Sequence, residues 1–274
     1  MPELPEVETI RRSLKELIGG KRITTYFVFQ PIVFKNYLDF DPTNCVVKDI
    51  RRRGKYLLFD LEHPVHGKAL MMVHLRMTGK LLYGDKEESI AKHTHIRFEF
   101  TDHVVDFNDI RRFGRVEFLP TNSEGSHPSL TKLGPEPTFA TWQFSDFYQR
   151  CQKRCKASIK SVILDQTVVA GLGNIYADEA LFRAGIHPAK PVGNISSDEL
   201  KQLYNIIPPL LEEAIGFRGT SFRDYVDGLG KKGEFQLHLR VYQRNGQNCD
   251  VCGTTIEKCR VAGRGTHFCP HCQK

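Results

Sequence analysis

The sequence predicts an α+β chain of more than one domain, and three observations carry that prediction. Seven short apolar stretches with turn residues between them fill 23–119, after a single amphipathic helix. The apolar period then changes from that of strands to that of helices, beyond a strip reading Leu133-Gly134-Pro135-Glu136-Pro137. Near the end stand two close cysteine pairs, Cys249-x2-Cys252 and Cys269-x2-Cys272. A chain of 274 residues is long enough for two domains and a small appendage.

Each element has its reason. Val7, Ile10, Leu14, Leu17 and Ile18 share one helical face, and Gly19-Gly20 ends the helix. Glu3, Glu6 and Glu8 lie at its start and Arg11, Arg12 and Lys15 further on, as the helix dipole favours. Strands are expected at 23–29, 45–50, 55–61, 69–76, 95–100, 104–109 and 115–119, forming an antiparallel sandwich or barrel. Helices are expected at 158–165 and 175–184, flanking a tight Gly171-Leu172-Gly173-Asn174 turn. Ser196 and Glu199 form a capping box for a helix through Leu200, Leu203 and Ile207. Pro208-Pro209 should kink that helix or split it in two. The glycine-rich stretch 216–233 reads as a mobile loop.

Composition narrows the partners. The chain is 40% hydrophobic and 26% charged, ordinary for a globular protein with a real core. A formal charge of +7 and a pI near 8.9 suggest an anionic partner. The longest apolar run, 69–73, is far too short to span a bilayer, so no membrane association is expected. No basic-then-apolar leader is read before the first helix, and a cytoplasmic, nucleoid-associated location is expected. Eight cysteines there point to metal or free thiols rather than disulfides.

The cysteine spacing is the most specific chemical signal. Cys249, Cys252, Cys269 and Cys272 match a four-thiolate tetrahedral zinc site on a β-hairpin, which leaves no open coordination position and makes the metal structural. From 231 to 274 there are eight Lys/Arg against three Asp/Glu, so this module is basic. Its tip, Val261-Ala262-Gly263-Arg264-Gly265-Thr266, presents an arginine between glycines, either solvated or aimed at a phosphate. The Gly171–Asn174 turn offers backbone N–H groups and an amide to an anion, or simply closes a tight helix turn. Lys160 lies where it can help hold the same phosphate.

At the other end, Pro2 becomes a free secondary amine if Met1 is removed, and such an amine attacks carbonyl-like carbon to give an iminium. Glu3 beside it can move a proton; the competing reading is that these residues merely begin a helix. Two strand ends, His74-Leu75-Arg76-Met77-Thr78-Gly79-Lys80 and Asp109-Ile110-Arg111-Arg112-Phe113-Gly114, place Met77, Arg111 and Phe113 either in the core or at loop tips that wedge into a base stack. Lys55, after Arg51-Arg52-Arg53-Gly54, reads on its own as a solvent-facing lysine.

Taken in order along the whole chain, these motifs resemble the bacterial formamidopyrimidine-DNA glycosylase family. The opening Pro2-Glu3-Leu4-Pro5-Glu6-Val7-Glu8-Thr9, Arg111-Arg112-Phe113-Gly114, Leu133–Pro137, Gly171-Leu172-Gly173-Asn174-Ile175-Tyr176 and the zinc hairpin with its Gly-Arg-Gly-Thr tip follow in family order. The resemblance implies an N-terminal β-sandwich (1–130), a linker (131–140), a helix–two-turn–helix domain with a lesion-capping loop (141–235) and a β-hairpin zinc finger (236–274). It implies a monomer binding double-stranded damaged DNA and one structural Zn²⁺, with no organic cofactor. The implied reaction is excision of oxidised purines such as 8-oxoguanine and formamidopyrimidines, followed by strand nicking. Pro2 would be the nucleophile and Glu3 the acid, with Lys55 and Arg264 assisting the eliminations and Glu6 ordering the network. His74, His93, Lys160, Asn174 and Arg264 are the expected DNA contacts, with Met77, Arg111 and Phe113 filling the void.

Two other readings compete. An endonuclease VIII-like glycosylase for oxidised pyrimidines is disfavoured by Leu4 and by the Arg111/Phe113 pair; a non-enzymatic zinc-hairpin binder of damaged DNA is disfavoured by Pro2-Glu3 with Lys55. Departures from the family pattern are Cys155, where a DNA-contacting lysine is common, Thr78 after Met77, and Pro208-Pro209.

Overall fold

The structure, a computed structural model, describes residues 1–138, 142–222 and 225–274. The helix α1, Leu4–Ile18, begins with a reciprocal capping box between Glu3 and Glu6, with a proline in its first turn. Its apolar stripe, Val7, Ile10, Leu14 and Ile18, is buried in the same core as the strands that follow. These are β1 (Thr25–Val28), β2 (Phe34–Asn36), β3 (Val46–Arg53), β4 (Tyr56–His63), β5 (Gly67–His74), β6 (Gly79–Asp85), β7 (Thr94–Glu99), β8 (His103–Asp109) and β9 (Arg115–Pro120). They form a four-stranded sheet, β1-β7-β8-β6, and a five-stranded sheet, β2-β9-β5-β4-β3. Phe59, Met71, Val73, Phe98, Phe107 and Phe118 from both sheets share one core, the arrangement of a sandwich.

Two strands escaped the sequence reading. β6 carries Gly79, Gly84 and a terminal Asp85, so its alternation is weak; pairing with β8 makes it a strand. β2 is three residues long and pairs parallel with β9, so the sandwich is antiparallel except at that edge. The short helix α2, Pro128–Thr131, closes this part.

The chain forms two compact units, 1–131 with 215–236, and 132–214 with 237–274. The stretch 215–236 therefore packs with the sandwich, whereas the sequence reading set it with the helical domain. The second unit holds α3 (Phe144–Gln152), α4 (Ile159–Leu164), α5 (Asn174–Arg183), α6 (Ser197–Gly216 in full) and the hairpin strands β10 (Glu257–Val261) and β11 (Arg264–Phe268). The strip 133–137 is docked rather than loose: Gly134 N–H donates to Gln166 O at 2.8 Å, and a Cβ at Gly134 would lie 2.3 Å from Thr167 O. Residues 139–141, at the end of the expected linker and start of the helical domain, lie outside the described residues.

Of the two expected outcomes, a kink or two helices, the second does not occur: Pro208 and Pro209 both lie inside one helix. Pro208 has no N–H for the carbonyl of Tyr204, four residues earlier. The indole N–H of Trp142 donates to that carbonyl at 3.0 Å, and Tyr204 Oη donates to Trp142 O at 2.6 Å. The two rings stack at 5.2 Å. A distant side chain thus supplies the donor that proline lacks. At the start of α6, Ser196 N–H donates to Glu199 Oε2 at 2.7 Å and Glu199 N–H to Ser196 Oγ at 3.2 Å, the expected capping box.

Candidate active site

The first residues of the chain are built into the sandwich unit. Pro2 and Glu3 are buried while Met1 is half-exposed. Glu6 holds this start in place with both carboxylate oxygens. Oε2 accepts the Glu3 N–H at 2.7 Å and Oε1 accepts the Thr220 N–H at 2.8 Å. Gly219, at φ +77°, passes so close that a Cβ there would lie 2.7 Å from Glu6 Oε1. Tyr225 Oη reaches Arg218 O at 3.0 Å and Glu6 O at 3.3 Å. Burial, and then the Glu6 carboxylate, push that phenol well above its ordinary pKa, so it stays a donor. Asp227 is fully buried, ion-paired to Arg218, and accepts the Leu229 and Lys231 N–H groups, each at 2.9 Å.

The 216–233 stretch, expected to be mobile, is therefore anchored by two buried carboxylates; Arg223 and Asp224 within it lie outside the described residues. Glycine content signalled a loop but carried no information about what the loop is tied to.

One turn along α1, Glu8 is bound by Arg11 at 2.8 Å, Arg12 at 2.9 Å and Arg52 at 3.1 Å. Burial works against its ionisation, but these guanidiniums win and hold its pKa down at about 2. Lys55 follows the turn at Gly54 (φ +56°) and is buried, which corrects its reading as a solvent-facing lysine. His74, at the end of β5, is also buried. Its Nδ1 accepts the Arg76 N–H at 2.9 Å, leaving the ring proton on Nε2, and its ring lies edge-on to Tyr56 at 4.4 Å. Burial first, then the charges of Arg76 and Lys55, lower its pKa to about 3, so His74 is a neutral hydrogen-bonding group.

Two loop tips project from the same unit. Met77 and Phe113 are 38% and 50% exposed, which rules out a core role for either. The Arg111 guanidinium sits 4.6 Å over the Phe113 ring. Arg76 (φ +54°) and Arg112 (φ +57°) hold left-handed conformations, one at each tip. Beneath both tips lies Asp109, which is fully buried. Its Oδ1 accepts Thr78 Oγ1 at 2.5 Å and the Arg111 N–H at 3.1 Å; its Oδ2 accepts the Gly114 N–H at 2.8 Å. Half-buried His93 (φ +71°) accepts the Asp109 N–H on its carbonyl at 3.0 Å.

In the second unit, α4 and α5 are joined by 165–173, and Gln166 braces the turn. Its Oε1 accepts the Gly171 N–H at 3.0 Å and its Nε2 donates to Leu172 O at 2.8 Å. Asn174, first residue of α5, donates from Nδ2 to Gly265 O at 3.0 Å, which ties the helix start to the hairpin tip. Ala262 (φ +48°) and Gly263 (φ +76°) make the two-residue hairpin turn, and Arg264 next to it is exposed.

Lys160 departs from the sequence reading. It is fully buried, paired with Asp178 Oδ1 at 2.6 Å, and donates to Thr266 Oγ1 at 2.8 Å and Gly265 O at 3.0 Å. Its ammonium is neutralised within the protein and braces the hairpin instead of meeting a phosphate. Asp178 also accepts the His267 N–H at 2.9 Å. Its neighbour Glu179 accepts the backbone N–H groups of Arg240, Val241 and Tyr242 at 3.0, 2.9 and 2.9 Å. Sequence reasoning missed these acids, although two adjacent carboxylates inside the apolar run Tyr176–Phe182 were a usable signal; Asp109 had none.

The sulfurs of Cys249, Cys252, Cys269 and Cys272 all lie within 4.8 Å of one another, with Cys249–Cys272 at 3.9 Å and Cys252–Cys269 at 3.5 Å. A tetrahedron with Zn–S near 2.3 Å needs sulfurs about 3.8 Å apart, so the residues fit one structural Zn²⁺. His267 is committed to Asp178 and is not a ligand.

Three protein-family models match the chain: Formamidopyrimidine-DNA glycosylase N-terminal domain over 1–116, Formamidopyrimidine-DNA glycosylase H2TH domain over 133–226, and Zinc finger found in FPG and IleRS over 246–274. A formamidopyrimidine-DNA glycosylase of Desulfitobacterium hafniense is 44% identical, with all of both chains covered. Among solved structures, a Lactococcus lactis FPG variant in complex with Fapy-dG-containing DNA superimposes with a TM-score of 0.92 at 37% identity, over the full length of both chains. The Lactococcus lactis Fpg complex with abasic-site DNA gives 0.91 at 37% identity over 99% of each.

Proposed function

This chain belongs to the formamidopyrimidine-DNA glycosylase family, and we propose that it performs that family's reaction through the amine of its own Pro2. It is a DNA glycosylase and AP lyase of base-excision repair, acting on oxidised purines. The observation that carries the assignment of residues is the buried start of the chain, where Glu6 fixes the Glu3 backbone and the 219–220 segment together.

Removal of Met1 frees the Pro2 nitrogen, whose ordinary amine pKa near ~8 leaves a neutral fraction at physiological pH. In the extruded nucleotide, that nitrogen bonds to C1′ as the bond to the damaged base breaks and the base leaves with its electron pair and a proton. Glu3 protonates the ring oxygen, the sugar opens, and an iminium forms between Pro2 and C1′. The iminium acidifies the C2′ proton; its loss expels the 3′ phosphate, and a second elimination expels the 5′ phosphate. Lys55 assists these proton transfers and Arg264 binds a phosphate that leaves. His74 in its neutral form contacts the DNA, as do His93, Arg111 and Asn174, and Met77, Arg111 and Phe113 fill the space the base vacates. Lys160 has no place in this list, for the reason given above.

We further propose that the sandwich unit with its 215–236 segment carries the chemistry, while the helical unit and zinc hairpin grip the backbone. The protein acts as a monomer in the cytoplasm, at the nucleoid where its substrate lies. Among the described residues no helix is long and apolar enough to cross a membrane.

The test is borohydride trapping on duplex carrying one 8-oxoguanine, followed by sequencing of the cross-linked peptide. A reduced adduct on Pro2 is expected. An adduct on Lys55 would keep the activity and overturn the nucleophile. Absence of any adduct, with tight binding and an N-terminal proline verified, would overturn the enzymatic reading.

A further inference from the structure

We propose that Asp109 and Thr78 are positioning residues that lock the Met77 tip to the Arg111–Phe113 tip, so that the three side chains enter the base stack as one body. The inference rests on the void-filling role proposed above for those side chains.

The two tips belong to different connections, one between β5 and β6 and the other between β8 and β9. Each tip on its own is a short exposed loop with one non-glycine residue in the left-handed region, Arg76 and Arg112. Internal hydrogen bonds close each loop, Gly79 N–H to Leu75 O at 2.9 Å in the first and Arg112 N–H to Asp109 O at 3.3 Å in the second, but neither of these ties one tip to the other. The Asp109 side chain does. It ends β8 directly opposite Gly79, the first residue of β6, so its carboxylate lies between the two loops. From there it accepts a hydroxyl proton from one loop, Thr78 Oγ1 at 2.5 Å, and two N–H groups from the other, Arg111 at 3.1 Å and Gly114 at 2.8 Å. The Arg111 N–H is shared with Thr78 Oγ1 at 3.2 Å, so the two tips also touch directly through the threonine. Asp109 itself is held from behind, its carbonyl by His95 Nε2 at 2.7 Å and its N–H by the His93 carbonyl at 3.0 Å. Phe107 and the His74 carbonyl crowd Gly114, where a Cβ would lie 2.6 Å from the Phe107 ring and 3.1 Å from His74 O. The second loop is therefore fixed at both its ends.

The consequence is mechanical. Unstacking a base demands that the wedge not yield, and a hydrogen bond to a buried carboxylate is stronger than one between neutral groups. Thr78 is the one side chain of the first loop in this network, and its hydroxyl is spent on Asp109 rather than on a base. An abasic site has no base to unstack, so its nicking depends less on the lock than excision of a stacked lesion does.

Thr78→Val removes the hydroxyl at nearly constant shape, and Thr78→Ser keeps it. Both variants are compared with wild type for single-turnover excision of 8-oxoguanine from duplex and for nicking of a preformed abasic site. For Thr78→Val the ratio of excision to nicking should fall about tenfold or more, the value of a hydrogen bond to a charged group. Thr78→Ser should stay within about threefold, the span of a modest hydrogen-bond difference. In addition, Met77→Ala and Phe113→Ala should be non-multiplicative in wild type and become multiplicative in the Thr78→Val background. An unchanged ratio, or losses that fall equally on both substrates as a folding defect would produce, overturns the inference while leaving the functional reading intact. Wild-type protein that excises no 8-oxoguanine at all would overturn that reading and this inference with it.

Discussion

Replacing Lys160 by Met tests the most consequential difference between sequence and structure. If Lys160 is a phosphate ligand, its loss weakens DNA binding and leaves folding alone. If it is the buried brace described above, its loss strands Asp178. Both side chains are fully excluded from solvent, and the pair distance is 2.6 Å. Methionine fills much the same volume but offers no charge, so among the described residues the carboxylate keeps the His267 interactions alone. Breaking a buried pair on one side costs about 3–5 kcal/mol. Thr266 Oγ1 and Gly265 O lose the same donor, which adds to the cost. At about 2–4 °C per kcal/mol for a protein of this size, the melting temperature of the zinc-loaded protein should drop by about 6–20 °C. Lys160→Met with Asp178→Asn should recover a large part of that loss, because no uncompensated charge is left. Differential scanning calorimetry on wild type and these two variants decides it. A single variant that melts within about 2 °C of wild type, a shift worth under 1 kcal/mol, while losing duplex affinity would restore the phosphate reading and refute the brace.

Other expectations follow from the same structure. Trp142→Phe keeps the ring but orphans the Tyr204 carbonyl, so it should cost about 1–3 kcal/mol in urea unfolding; adding Pro208→Ala, which restores the N–H four residues on, should recover most of it, and a lack of recovery would show that the indole is only packing. Glu8 has its pKa held to about 2, below its ordinary value of 4.5, so its stabilisation is complete above that ordinary value and is lost as pH falls towards 2. Glu8→Gln should accordingly lower the melting temperature at pH 7 more than at pH 3, and equal losses at both would contradict the guanidinium cluster. His74, with its pKa pushed to about 3, should show imidazole NMR signals that do not move between pH 8 and 4.5; a midpoint near 6.5 would mean the ring is wetter than described. Stripping the zinc should abolish duplex binding while the sandwich unit melts as before, whereas retained affinity would detach the hairpin from DNA recognition.

Much of this protein was legible in the chain itself because the relevant physics is local. The zinc site follows from two cysteine pairs, since four thiolates at that spacing have few other uses. The start of α1, the capping box at Ser196 and Glu199, and most strands follow from residue types within a few positions of one another. Pro2 and Glu3 stood out by chemistry and Arg264 by its glycine-flanked turn, with no fold needed to notice them. What the chain could not disclose is pairing between distant residues. Lys160 and Asp109 look like ordinary surface charges until Thr266, 106 positions from the lysine, and Thr78, 31 positions from the aspartate, close around them. The three-residue β2 is defined by its pairing with β9, and the Tyr204 carbonyl that Pro208 leaves without a donor is met by Trp142, 62 residues away. Glu6 and the 216–233 segment were each readable, but their joining was not. A buried charge or an interrupted helix is tolerable only where a partner meets it, and sequence distance carries no record of which partner that is.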